Sequence, residues 1–139
     1  MDNYGTFFKK VIDKAYLEMA KKYCLTSNEI AIVSYLSTHP KNTASDIAAN
    51  LFFTKSHVSL SVDSLVKKGY LAKERDSCDR KIFHLLLTEY AEPVVRELSM
   101  RKQEIEDIFF QDFTDTEKIQ LQQSIEKVVH NIMNSNLLR

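Results

Sequence analysis

The side chains best suited to chemistry in this chain lie in two short stretches. Lys55, Ser56, His57, Ser59 and Ser61 offer a cation and several short hydrogen-bonding groups within one run. A little further on, Arg75, Asp79, Arg80 and Lys81 form a charged cluster. Such sets recognise rather than react: short polar side chains approach base edges closely, and grouped Lys and Arg neutralise phosphates. Nothing in the sequence has the spacing of a Gly-rich phosphate loop, a nucleophile with its base, or carboxylates paired in a pocket, so no enzyme is expected. Cys24 and Cys78 make no CxxC pair, and His39, His57, His84 and His130 lack HxxxH spacing. Neither a metal site nor a cofactor is expected.

The first stretch sits on a helix that follows Thr54. Val58, Val62, Leu65 and Val66 share its apolar stripe, which leaves Lys55, Ser56, His57, Ser59 and Ser61 on the outward one. Gly69 supplies the left-handed residue that closes such a helix, with Tyr70 folding back on the last turn. Upstream, Thr43-Ala44-Ser45-Asp46 caps a short helix carrying Ile47, Ala48 and Leu51, and Ala48 and Ala49 are small enough for another helix to cross closely. Downstream, residues 70–75 and 81–87 read as strands around the polar tip 76–80, a hairpin with a charged end. Two short helices, a glycine stop and a charged hairpin over residues 43–88 match a winged helix-turn-helix, with the second helix placed for a DNA groove.

The flanks are helical too. Phe8, Val11, Ile12, Ala15, Met19 and Tyr23 predict a first helix of about five turns. Thr26-Ser27-Asn28-Glu29 is a capping box for a second, with Ile30, Val33 and Leu36 buried and a stop before His39-Pro40. Residues 92–110 read as a helix with Val94, Val95, Leu98, Ile105, Ile108 and Phe109 inward. A last helix starts at the Thr114–Glu117 box and carries Leu121, Ile125, Val128, Ile132 and Met133. With 139 residues, 44% hydrophobic, and only Gly5, Gly69, Pro40 and Pro93 as breakers, a single mainly α domain is expected. The longest apolar run, residues 30–33, is far short of the ~20 that cross a membrane, and no secretion signal is present, so a cytoplasmic protein with no membrane partner is expected. The formal net charge is zero, but residues 54–81 hold seven basic against four acidic residues, whereas residues 100–139 hold five against seven. The positive charge is concentrated where the polar helix and hairpin are.

From Gly69 through the hairpin the chain resembles the MarR family of winged-helix transcriptional regulators, over nearly its full length. The resemblance rests on Val58-Ser59, Val62-Asp63, Leu65, Lys67-Lys68-Gly69 and the run Asp79-Arg80-Lys81-Ile82-Phe83-His84-Leu85-Leu86-Leu87-Thr88. The family's wing pattern, Asp, any residue, Arg, five residues, Leu-Thr, fits with Lys81 in the arginine's place. Thr26-x-x-Glu29 and Phe113-Thr114-Asp115-x-Glu117 are similar to the family's helix starts.

The resemblance implies a homodimer in which residues 1–24 and 89–139 supply dimerisation helices and residues 25–88 a winged helix-turn-helix with a two- to three-stranded β wing. It implies double-stranded DNA as partner, with Lys55, Ser56, His57, Ser59 and Ser61 of the recognition helix in successive major grooves of a pseudo-palindromic operator. The wing, with Arg75, Arg80 and Lys81 in contact and Asp79 orienting it, would reach the flanking minor grooves. Repression is the family's usual mode. Leu60 and Ser64 stand where members often carry arginine, so the groove face has fewer long cations, and Lys81 keeps the charge but not the planar fork of arginine.

Two other readings stay open beside this one. The zero net charge and the absence of cations at 60 and 64 also suit a winged-helix module that contacts proteins without a DNA role. Cys78, between Arg75 and Arg80, would suit a redox-responsive regulator, whereas Cys24 is expected in the core. Phe8, Tyr16, Tyr23 and Tyr35 either line a cleft for a small aromatic or lipophilic effector, as in relatives, or simply build the core and dimer seam.

Overall fold

The computed structural model describes residues 3–137. Backbone contacts gather them into two compact units that divide after Arg101. The first unit opens with α1 (Tyr4–Tyr23), which ends where Cys24 takes a left-handed conformation (φ 52°) and the amide of Leu25 bonds back to the Ala20 carbonyl. That exit turns the Cys24 side chain outward and hands its inner place to buried Leu25, so the cysteine expected in the core is exposed.

Three capped helices follow. Thr26 and Glu29 close a reciprocal capping box that starts α2 (Ser27–Thr38). Thr43 and Asp46 do the same for α3 (Ala44–Leu51), and Thr54 accepts the amide of His57 to start α4 (Lys55–Lys67). Each such cap satisfies amides that the first turn leaves without a partner. Gly69, at φ 88°, closes α4 as expected: its amide bonds to Val66 and that of Tyr70 to Leu65. Only glycine takes this conformation without strain.

β1 (Leu71–Arg75) and β2 (Phe83–Leu87) pair antiparallel in the register Leu71 with Leu87 through Arg75 with Phe83. A single bridge between Thr43 and His84 adds a short third edge, so the wing has two strands and one bridge. A 3-10 turn (Glu89–Ala91) leads into α5 (Glu92–Phe109), whose Val94 and Leu98 are buried. The core of this unit joins Met19, Ile32, Val33, Leu36, Ile47, Val58, Leu65 and Leu85, one or more residues from each of α1 to α4 and the wing. Ala48 packs against it; Ala49 points to solvent.

The second unit holds the end of α5 and α6 (Asp115–Met133), started by the Thr114–Glu117 capping box. No residue of α6 is buried. Its expected stripe of Leu121, Ile125, Val128, Ile132 and Met133 is present but exposed, as are Ile108 and Phe109 of α5, which the spacing predicted inward. Periodicity identifies an apolar face correctly, but it cannot say whether that face is covered by its own chain.

Candidate nucleic-acid interface

The direction of α4 is fixed by its buried residues, Val58, Ser61, Val62 and Leu65, which recur at three- and four-residue steps. Ser61 therefore faces the core and not the solvent. This corrects the expected outward set, and the reason is geometric: at 3.6 residues per turn, position 61 lies between the rows of 58 and 65. Lys55, Ser56, His57 and Ser59 are exposed as expected. The outermost row also includes Leu60 and Asp63, both exposed and neither among the expected contact residues. Asp63 is paired with Lys73 of β1 at 3.1 Å, which ties the helix to the wing.

The wing is held by a polar cluster that composition alone does not reveal. His84 lies between two acceptors, with Nε2 2.7 Å from Asp76 Oδ1 and Nδ1 2.8 Å from the Lys41 carbonyl. An imidazole donates to both at once only when protonated. The Asp76 hydrogen bond, and after it the Lys41 carbonyl, accordingly raises the His84 pKa above 6.5. His84 and the amides of Asp79 and Cys78 hold the Asp76 carboxyl down at about 2. Asp76 Oδ2 accepts those two amides at 2.9 Å each, and Asp79 Oδ1 accepts the amide of Lys81 at 2.9 Å, so two aspartates shape the tip. Leu85 donates its amide to the Asn42 carbonyl, a second tie between β2 and the turn before α3. Arg75, Arg80 and Lys81 are exposed, and Arg75 lies over the Phe83 ring at 5.5 Å from its centre. The structure thus brings Arg75, Asp79, Arg80 and Lys81 onto one hairpin beside α4. Cys78 is exposed at the tip, 3.7 Å from the Ser77 hydroxyl.

This arrangement of a capped helix pair and braced hairpin is that of a known domain. A model of the winged helix DNA-binding domain matches residues 25–91. The fold superposes on a MarR protein from Peptoclostridium difficile with a TM-score of 0.84, at 20% identity, over 96% of this chain and 90% of that one. The chain carries a winged helix DNA-binding domain on a fold shared with MarR proteins. A second MarR-type structure, a putative family regulator from Listeria monocytogenes complexed with a 26mer DNA, matches with a TM-score of 0.85 at 17% identity, over 94% of this chain and 86% of that one. Among curated proteins, YpoP of Bacillus subtilis, an uncharacterized HTH-type transcriptional regulator, is 30% identical over 93 residues, which are 67% of this chain and 66% of YpoP. The HTH-type transcriptional regulator BilQ of Clostridioides difficile is 23% identical over 116 residues, 83% of this chain and 78% of BilQ.

Two further features of this winged-helix chain lie behind the exposed face of α4. Lys68, just past α4, donates to the Cys24 carbonyl at 2.7 Å and to the buried Glu29 carboxylate at 2.8 Å. Burial pushes the Glu29 carboxyl up, but Lys68, the Ser64 hydroxyl and the Thr26 amide outweigh it and hold the group below 4.5. One carboxylate therefore caps α2 and anchors the end of α4. The aromatic residues expected around an effector do not converge. Tyr16 lines a groove of about 500 Å³ with Ile12, Leu17, Ile30, Ala31 and Leu98. Tyr23 instead donates to Glu97 at 2.6 Å, a carboxylate that also takes Lys22 at 3.0 Å, and Tyr35 stacks on His39 and donates to Asn42 at 2.8 Å. Phe8 is exposed on α1 and is not part of that groove. Among the described residues no group of His, Cys, Asp or Glu could hold a metal ion, and no helix is long and apolar enough to cross a membrane.

Proposed function

We propose that this protein is a sequence-specific DNA-binding regulator of transcription, acting as a repressor, that engages a pseudo-palindromic operator as a homodimer. The observation that carries the reading is the outward row of α4, lined by Ser56 and Ser59 and flanked by Lys55 and by the cations of the wing. Short side chains let the helix sit deep in a major groove, and Arg75, Arg80 and Lys81 on the braced hairpin meet phosphates or a minor groove beside it. The Listeria relative crystallised with DNA supports the same use of the fold. Dimerisation through residues 1–24 and 89–139 is supported by the apolar stripe of α6, of which nothing is buried within one chain. A contiguous exposed apolar face of this kind marks an interaction surface.

In such a dimer, control follows from geometry. A small aromatic or lipophilic effector wedged into the groove beside Tyr16 would change the separation of the two α4 copies. The second half-site would then lose its high effective concentration and affinity would drop. Selecting bound sites from a random duplex pool tests the whole reading. A two-fold symmetric motif with half-sites about 10 bp apart is the expected result. A protein that sediments as a monomer, or that binds no duplex even at low salt, would favour a protein-contact module instead.

A further inference from the structure

Leu60 is 71% exposed in the middle of the recognition helix, roughly 150° round the axis from the direction set by Val58, Ser61, Val62 and Leu65. A leucine there adds nothing to the core. Its row neighbour one turn earlier is Ser56, and Ser59 and Ser64 flank it, so it is the longest apolar projection on a face of short polar groups. Asp63, one turn later, has its charge offset by Lys73, which keeps the row from repelling a phosphate-lined groove.

Resting on the DNA-binding reading above, we propose that Leu60 is a specificity-determining residue that reads the C5 methyl of a thymine in each half-site. The thymine methyl is the only apolar feature that base edges offer in the major groove. A leucine seated on any other base would displace water from a donor or acceptor and leave that group without a partner. The side chain therefore selects by attraction to one base and by cost against the other three.

The test uses the full-length protein and a duplex chosen from a random pool. Each thymine is exchanged in turn for deoxyuridine, which removes the methyl and nothing else, and affinity is measured at fixed salt for the wild type and for Leu60→Ala. At one thymine per half-site the exchange should weaken the wild type about fourfold, the value of burying one methyl group, and about fifteenfold when both half-sites are changed. Leu60→Ala should be indifferent to the same exchange. The substitution is on an exposed helix face and introduces a strong helix former, so folding is preserved. A wild type indifferent to every exchange, or a Leu60→Ala variant that keeps the full loss, overturns the assignment while leaving the regulator reading intact. Failure to select any motif overturns both.

Discussion

Glu29 and Lys68 make the sharpest test of how α4 is held. Glu29 is 3% exposed and Lys68 34%, at 2.8 Å. The two partners should therefore not be equivalent. In Lys68→Met the carboxylate stays buried without its counter-charge, a loss of about 3–5 kcal/mol. In Glu29→Gln the amide oxygen can still accept from Thr26, and the one-third-exposed ammonium can turn to water, so the loss should be about 2 kcal/mol, the value of a charged hydrogen bond. At about 3–5 °C per kcal/mol for a chain of this size, thermal melts at one fixed protein concentration separate the variants. The pH dependence gives a second signature. In the wild type Glu29 titrates below 4.5 when folded, so its stabilisation is full above the unfolded value and is lost as pH falls through the folded one. Without Lys68, burial, the largest single influence on this carboxyl, should outweigh the remaining Ser64 and Thr26 hydrogen bonds and raise the folded pKa, so stability should instead fall as pH rises from 4.5 through that raised value. The combined variant Glu29→Gln/Lys68→Met should be more stable than Lys68→Met alone. Equal losses in the two single variants, with no reversal of the pH slope, would refute the idea that this pair anchors α4.

Four other outcomes are expected. The His84 imidazole, followed by NMR, should titrate above 6.5, and Asp76→Asn should bring it down; with the folded His84 pKa raised, its contribution is full below 6.5 and lost as pH rises through the folded value, while that of Asp76 is lost as pH falls from about 4 through about 2. An unchanged histidine titration in Asp76→Asn would remove the clamp. Lys81→Ala should reduce the salt slope of duplex binding by about one unit, and Ser59→Glu should abolish specific binding in gel shifts without altering sedimentation; an unaffected titration in either would take that residue off the contact list. Ile125→Glu, placed on the exposed stripe of α6, should shift the protein to monomer in sedimentation and weaken operator binding, and a persistent dimer would move the interface elsewhere.

Much of this fold is written locally. Thr26 with Glu29, Thr43 with Asp46, and Thr114 with Glu117 each announce a helix start within four residues, and Gly69 its end, because caps and left-handed closures are satisfied by neighbours in sequence. What could not be read depends on partners distant in the chain. His84 looked like one residue of a strand, and nothing near it indicates the Lys41 carbonyl 43 residues away. Glu29 was legible as a cap but not as the seat of Lys68. The polar type of Ser61 suggests an outward place, whereas the helical phase of Val58 and Leu65 puts it inside. Leu60 is the opposite case: its apolar type suggests burial, but the same phase puts it outermost.

The tip of the wing has a consequence for the thermodynamics of complex formation. With two amides taken by Asp76, one by Asp79, and the Asp76 and Ile82 backbones bonded across the loop, residues 76–82 are shaped before any encounter with a duplex. In the proposed complex this segment then pays little ordering entropy on docking. The heat-capacity change seen by calorimetry at several temperatures should therefore match contact-surface dehydration alone, without the additional negative increment that accompanies a loop folding as it binds.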